Sequence, residues 1–145
     1  MEKETFLQLP KIEEIIENFS FIEDWEDRYR YIMELGNLLP KEDPILQKEE
    51  NKISGCVSQV WLTSQKSPND PYVLFFQATS DAHIVRGLIT ILLSFYSGKT
   101  AQFILEHDAE HLFEKLQLKD NLSSQRANGL RSMIARIRKE AHSIL

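Results

Sequence analysis

Residues 80–98 read SDAHIVRGLITILLSFYSG and contain the most apolar stretch of the chain. Large aliphatic and aromatic side chains recur so closely that a helix here would be apolar on nearly every side. Such a helix belongs in the centre of a protein, because no face of it suits water. We expect it to begin after Ser80, which can cap it, and to stop at Gly98. The run from Ile84 to Phe95 is too short to span a bilayer.

A predicted β-hairpin lies directly before this helix. Residues 60–63 and 72–77 are rich in β-branched and aromatic side chains, and the turn cluster SPNDP fills residues 67–71 between them. Two strands alone are marginally stable, so we expect a third strand, whose position the sequence pattern does not indicate.

Amphipathic helices are predicted on both sides of the hairpin and central helix. The first has one apolar face, made of Ile12, Ile15, Ile16 and Phe19. The second follows a potential cap at Asp24, ends at Gly36 and Pro40, and has an apolar face of Trp25, Tyr29, Ile32 and Met33.

Three more helices are predicted after the central one. Thr100 can cap a short helix, a second carries Leu112, Phe113 and Leu116, and Ser123 can open the last. The last helix has an apolar stripe of Leu130, Met133, Ile134, Ile137 and Ala141. This order of elements predicts an α+β fold, with a small antiparallel sheet packed against helices.

The whole chain has the size and balance of one globular domain, residues 1–145. A net charge of −5 disfavours a nucleic-acid partner, since phosphate neutralisation needs a basic face. The charged start, residues 1–5, resembles neither a secretory signal nor a transit peptide, so we expect a cytoplasmic protein without a membrane partner. A single cysteine can form neither an internal disulfide nor, alone, a structural metal site.

That cysteine, Cys56, lies in ISGCVSQVW (residues 53–61), between a polar loop and the first strand. Gly55 permits a tight turn that would present the thiol at a loop tip, where a thiolate could attack a sulfur–sulfur bond. The alternative is a small apolar filler, because free cysteine is among the most buried residue types. A hydrolytic role is disfavoured, because no local signature links any histidine to Cys56.

Three further polar features have competing interpretations. HDAEH at residues 107–111 fits the H-x-x-E-H pattern of zinc peptidases, but the pattern is short, and we expect a solvated surface. The basic residues opposite the apolar stripe of the last helix suggest a solvated face or docking to an acidic partner; they are Arg131, Arg136, Arg138 and Lys139. Asp81 could place a favourable charge in the first turn of the central helix. Alternatively, it could contact a partner or tune the environment of Cys56.

Four segments together resemble the SufE-like sulfur acceptors. Residues 55–61, GCVSQVW, are similar to the Gly-Cys-x-Ser-x-Val-Trp signature of that family, and residues 80–88 are similar to its Ser-Asp-Ala-x-Ile-Val-(Lys/Arg)-Gly-Leu motif. Residues 126–130, RANGL, resemble the opening of its final helix, and residues 25–40 resemble its N-terminal helical block. Val57 departs from the polar residue of some members, and His83 fills a variable position.

The resemblance implies a fold similar to that of SufE and the scaffold IscU. It implies that Cys56 carries a persulfide, with Gly55, Ser58, Asp81 and Arg126 in supporting or partner-binding roles. The implied partners are a cysteine desulfurase of the SufS/CsdA type, which this family also activates, and, downstream, a SufB-type cluster scaffold. Neither a metal nor a bound cofactor is implied, since PLP belongs to the desulfurase. The chain would be an accessory sulfur-transfer protein with a covalent persulfide intermediate rather than a stand-alone enzyme.

A persulfide needs shelter from reductants and oxidants between partners. We therefore expect an apolar pocket beside Cys56, lined by Val57, Trp61 or the central helix. Three other functions remain open: a paralogous relay that feeds another sulfur acceptor, a cluster scaffold, and a non-catalytic interaction module. A scaffold is disfavoured because iron–sulfur clusters usually need several thiolates.

Overall fold

The computed structural model describes residues 8–145, so the charged segment at residues 1–5 lies outside the described residues. The helices are Ile12–Ser20 (α1), Trp25–Gly36 (α2), His83–Tyr96 (α3), Ala101–Glu106 (α4), Ala109–Lys115 (α5) and Ser124–Ser143 (α6). The strands are Val60–Lys66 (β1), Val73–Ser80 (β2) and Lys99–Thr100 (β3). The chain thus runs from two helices through a hairpin to the remaining helices, which confirms the α+β prediction.

The three strands form one antiparallel sheet in the order β1-β2-β3. In the hairpin, Val60 pairs with Ser80 and Lys66 with Leu74, so both strands are longer than predicted. The third strand is β3, which pairs with the start of β2. With only two residues, β3 is too short to produce a recognisable alternation in the sequence.

Helix α3 lies in the hydrophobic core, as the sequence predicts. Every residue of α3 except His83 and Phe95 is buried. The sheet contributes Leu62, Leu74, Phe76 and Ala78 to the same core, and α6 contributes its predicted apolar stripe. None of the helices formed by residues 8–145 combines the length and the apolar character needed to cross a membrane.

Helices α2 and α3 approach each other closely because Gly87 has no side chain. A Cβ atom on Gly87 would lie 2.0 Å from the carbonyl oxygen of Ile32, well inside van der Waals contact. Nearby, the Thr90 hydroxyl donates to the carbonyl of Leu35 at 2.9 Å. These contacts fix the position of α3, which lines the candidate site described below.

The capping predictions were partly correct. Thr100 and Ser123 cap α4 and α6, each accepting a backbone hydrogen bond in the first turn. Asp24 stands at the N-cap position of α2 but makes no side-chain capping bond. Ser80 as a helix cap was wrong, because Ser80 ends β2 and α3 begins only at His83. Tyr29 was assigned to the apolar face of α2, but its side chain is exposed.

Candidate functional site around Cys56

Cys56 lies in a loop whose two ends are joined, residues 53–60, here called the cysteine loop. The N–H of Ile53 donates to the carbonyl of Val60 at 2.8 Å, and the next pair outward, Lys52 and Trp61, forms an isolated β-bridge. Pairing at the base leaves the middle of the loop to project from the sheet. The sequence prediction that Cys56 lies in a loop before the first strand is therefore confirmed.

Gly55 brings the cysteine loop against α6. Its φ of +88° lies in the region that only glycine adopts without strain. A Cβ atom at this position would also lie 2.7 Å from the hydroxyl oxygen of Ser132. The glycine before the cysteine is thus required by the backbone conformation, and its lack of a side chain also leaves room for the Ser132 hydroxyl of α6.

The thiol of Cys56 faces the backbone of α6. Its Sγ lies 3.7 Å from the carbonyl oxygen of Gly129, close enough for a weak S–H···O hydrogen bond. The side chain is partly buried, and burial raises the pKa of the Cys56 thiol above its ordinary value of 9.0. Both the desolvation and the facing carbonyl favour the protonated thiol over the thiolate.

A pocket of about 140 Å³ opens beside this thiol. Its apolar lining comes from the cysteine loop, β1, α3 and α6, and consists of Val57, Val60, Val85, Leu88, Leu130 and Met133. The volume is several times the ~30 Å³ that one water molecule occupies in the liquid, so an additional sulfur atom fits beside Cys56. Val57 and the central helix line this pocket as predicted, whereas Trp61 is buried elsewhere.

Two of the predicted supporting residues lie at the pocket. Ser58 lines it from the cysteine loop, and Arg126 lines it from the first turn of α6. Arg126 is exposed, and its backbone N–H donates to the capping hydroxyl of Ser123 at 3.2 Å. The pocket therefore has apolar walls and a polar rim at the N-terminus of α6.

Asp81 holds the cysteine loop rather than lining the pocket. Its carboxylate accepts a hydrogen bond from the N–H of Gln59 at 3.0 Å, and its own N–H donates to the carbonyl of Gln59 at 3.3 Å. The expectation that Asp81 sits in the first turn of the central helix was wrong, because it precedes that helix. The residue that it contacts lies three positions beyond Cys56.

Sequence reasoning missed Gly129 and the pair Ser80 and Arg86 as parts of this region. Gly129 had a detectable signal, because glycine inside a predicted helix is unfavourable and often marks a close approach. Ser80 was interpreted as a cap, and Arg86 is one of several basic residues in the sequence. Their proximity to the cysteine loop depends on the sheet register, which places Ser80 opposite Val60.

The two histidines of the H-x-x-E-H segment do not lie on one helix, as a pair of metal ligands in this motif would. His107 ends α4 and stacks on Phe103 with ring centroids 4.0 Å apart, whereas His111 belongs to α5. The break at Asp108, which caps α5, separates the two histidines. Among residues 8–145 there is no group of three or more histidine, cysteine or acidic side chains arranged to hold a metal.

Most of the basic side chains on α6 bind to other groups of the same chain. Arg131 lies 3.8 Å from a carboxylate oxygen of Glu110, and Arg136 pairs with Glu140 at 3.1 Å. Arg138 donates two hydrogen bonds of 3.0 Å to the carbonyls of Ile104 and Leu105 at the end of α4. These contacts favour a packed and solvated helix face over a dedicated docking surface.

Comparisons with known proteins agree with this architecture. Residues 13–141 match the SufE family, described as an Fe-S metabolism associated domain. The chain is 51% identical over 143 residues to an uncharacterized SufE-like protein of Rhizobium etli, covering 97% of this chain and 96% of that protein. It is 50% identical over 139 residues to an uncharacterized SufE-like protein of Rhizobium meliloti, covering 94% and 99%.

A solved structure supports the fold. The solution structure of a hypothetical protein from Thermus thermophilus superposes with a TM-score of 0.72, covering 94% of this chain and 98% of that one. Its sequence is only 16% identical, so this similarity concerns the fold alone. The family match and the two relatives cover nearly the whole chain. The chain belongs to the SufE family of Fe-S metabolism associated domains.

Proposed function

We propose that this protein accepts a sulfur atom on Cys56 from a PLP-dependent cysteine desulfurase and passes it to the iron–sulfur cluster assembly machinery. Membership of a family associated with Fe-S metabolism supports the general process. The observation that carries the specific proposal is the position of the Cys56 thiol beside an apolar pocket with room for one more sulfur atom. An inert filler cysteine would have no need of such space.

The transfer is a thiol–persulfide exchange. The thiolate of Cys56 attacks the outer sulfur of a persulfide on the desulfurase, and a new sulfur–sulfur bond forms on Cys56. The donor's sulfur–sulfur bond breaks, and its electron pair stays on the donor cysteine, which leaves as a thiolate. The outer sulfur keeps its proton, and one sulfane sulfur changes carrier, so no external oxidant or reductant is consumed.

The resting geometry suppresses this reaction until a partner is present. Inside the pocket, burial raises the pKa of the Cys56 thiol and so lowers its fraction of thiolate, which is the reactive form. Reaction therefore requires the cysteine loop to leave its place on α6 and present Cys56 to the desulfurase. Return of the loop would then place the new persulfide among apolar side chains, away from water-borne reductants.

The proposed partners follow from this cycle. A desulfurase of the SufS/CsdA type supplies the sulfur, and a SufB-type scaffold receives it. The exposed Val57, at the tip of the cysteine loop, is 73% accessible and supplies an apolar contact for either partner. Arg126 at the pocket rim offers a cation to acidic groups of a partner that docks there.

The test is intact-mass measurement after incubation with a purified PLP-dependent cysteine desulfurase and cysteine, without reductant. We expect a gain of one sulfur atom that dithiothreitol removes, together with faster cysteine turnover by the desulfurase. Cys56→Ser should lose the mass gain while keeping the circular dichroism spectrum and thermal midpoint of the wild type. The absence of any mass gain with either a SufS-type or a CsdA-type desulfurase would contradict the proposal.

A further inference from the structure

The corner between β2 and α3, residues 80–82, holds the trailing end of the cysteine loop. The Ser80 hydroxyl donates to the carbonyl of Gln59 at 2.7 Å and accepts from the N–H of Ala82 at 3.2 Å. Asp81 binds both the N–H and the carbonyl of the same Gln59. Since Gln59 lies only three residues beyond Cys56, movement of this corner would be transmitted to the thiol.

Arg86 is hydrogen-bonded to this corner. It lies in the first turn of α3, only 6% of its surface is accessible, and its Nη1 donates to the carbonyl of Ser80 at 2.8 Å. Its Nε is buried without a hydrogen-bond partner, and no carboxylate in residues 8–145 pairs with it. Ser80 is itself completely buried, so this contact is sheltered from water.

A guanidinium in this setting is unfavourable for the core. Burial of a charge without a counter-charge carries a large desolvation penalty, and an aliphatic side chain of similar volume would pack at lower cost. What Arg86 adds over an aliphatic residue is a hydrogen bond to Ser80. Arg86 is not among the residues that line the pocket, so it does not act on the Cys56 thiol by direct contact.

We propose that Arg86 is a positioning residue that anchors Ser80, and through Ser80 and Gln59 sets how readily Cys56 leaves its pocket. Its relevance to sulfur transfer rests on the function proposed above. The anchoring itself is independent of that function, because it concerns the exposure of a thiol in the isolated protein. Two measurements without any desulfurase report on it: the alkylation rate of Cys56 and the hydrogen-exchange rate of the Gln59 amide.

The main test compares Arg86→Met with the wild type under conditions where both are fully folded. Methionine keeps much of the side-chain volume and removes the donor to Ser80. We expect iodoacetamide to alkylate Cys56 about fivefold faster, the factor that corresponds to one ordinary hydrogen bond. The Gln59 amide should exchange faster by a similar factor. Arg86→Lys, which retains a cation able to donate to Ser80, should return both rates toward the wild-type values.

Arg138→Met is the matched control. Arg138 is also a helical arginine that donates to backbone carbonyls, but those carbonyls belong to Ile104 and Leu105, away from the cysteine loop. Its loss should lower stability without changing the alkylation rate of Cys56. Faster alkylation in both variants would show a general loosening of the protein and overturn the positioning role.

A second variant covers the case in which Arg86→Met does not fold. Ser80→Ala removes the hydroxyl that binds Gln59 and should accelerate both Cys56 alkylation and Gln59 exchange. Unchanged rates in a folded Ser80→Ala or Arg86→Met protein would refute the proposal. A wild-type protein that accepts no sulfur from a desulfurase would refute the proposed function instead, while these two rates would still report on Arg86.

Discussion

Gly129 places its carbonyl oxygen 3.7 Å from the sulfur of Cys56, so the thiol faces a hydrogen-bond acceptor. An acceptor in this position favours the thiol and opposes the thiolate. The arrangement suits a cysteine that is stored between transfers, since low nucleophilicity also slows unwanted oxidation. Under the proposed function, Cys56 would thus rest in its less reactive form.

The first prediction concerns the pH dependence of Cys56 reactivity. Because burial raises the pKa of Cys56, iodoacetamide alkylation of the folded protein should rise with pH with a midpoint above 9.0, the ordinary value. The same titration in concentrated urea should give a lower midpoint, because the unfolded chain has no pocket. A folded-state midpoint below that of the unfolded chain would contradict the resting geometry described here.

The raised pKa of Cys56 should also make the free energy of unfolding depend on pH, in a direction that can be stated. A raised pKa in the folded state means that the stabilising effect of burying the thiol is complete below the unfolded-state pKa. It is lost as pH rises toward and through the folded-state pKa. The difference in unfolding free energy between the wild type and Cys56→Ala should therefore shrink above about pH 9, as measured by urea denaturation at several pH values.

The second prediction is that Gly129→Ala stabilises the protein but impairs the pocket. The new methyl group would lie 3.7 Å from the Cys56 sulfur, an ordinary van der Waals distance, so no clash opposes it. Alanine inside a helix is favoured over glycine by roughly 0.5–1 kcal/mol. Urea denaturation should show a gain of this order, while a Cys56 persulfide, now deprived of space, should react faster with dithiothreitol.

Asn128→Ala is the matched control for Gly129→Ala. Asn128 is the neighbouring helical residue, is exposed, and does not line the pocket. Alanine there should also raise helix propensity, with no effect on persulfide lifetime. Equal persulfide lifetimes in the wild type and Gly129→Ala would show that the space beside the sulfur is not used.

The third prediction separates two reasons for glycine at position 55. Gly55→Ala should cost about 1–2 kcal/mol from its positive φ, with an additional cost because its Cβ would lie 2.7 Å from the Ser132 hydroxyl. Ser132→Ala removes that oxygen, so the double variant should recover the additional cost and keep the backbone penalty. A full recovery in urea denaturation would mean that the backbone conformation at Gly55 is unstrained for alanine.

The fourth prediction concerns the scaffold that holds α3. Gly87→Ala would place a methyl carbon 2.0 Å from the carbonyl oxygen of Ile32, which is backbone and cannot rotate away. We expect a loss of about 3 kcal/mol, at the upper end for overpacked cores, measured by urea denaturation. Gly98→Ala is the comparison, because its Cβ would meet only a ring atom of Phe75 at 3.4 Å; its positive φ should cost about 1 kcal/mol. A smaller loss for Gly87→Ala than for Gly98→Ala would contradict the close packing of α2 on α3.

Much of the architecture was present in local sequence patterns. The apolar run of α3, the hairpin around its turn cluster, and the caps Thr100 and Ser123 all depend on neighbouring residues, so periodicity and side-chain chemistry predicted them. The same holds for a cysteine on a loop after glycine. The family also followed from short motifs whose order and spacing are visible in the chain itself.

Tertiary structure alone determined what surrounds Cys56. The contact with Gly129 joins residues that are 73 positions apart, and the hydrogen bond from the Gln59 N–H to the Asp81 carboxylate spans 22. No periodic pattern encodes such pairs, because they arise from the register of β1 on β2 and from the packing of α6 against α4 and α3. For the same reason Ser80 was mistaken for a helix cap: its hydroxyl is drawn to the carbonyl of Gln59, which only the paired strand brings within reach.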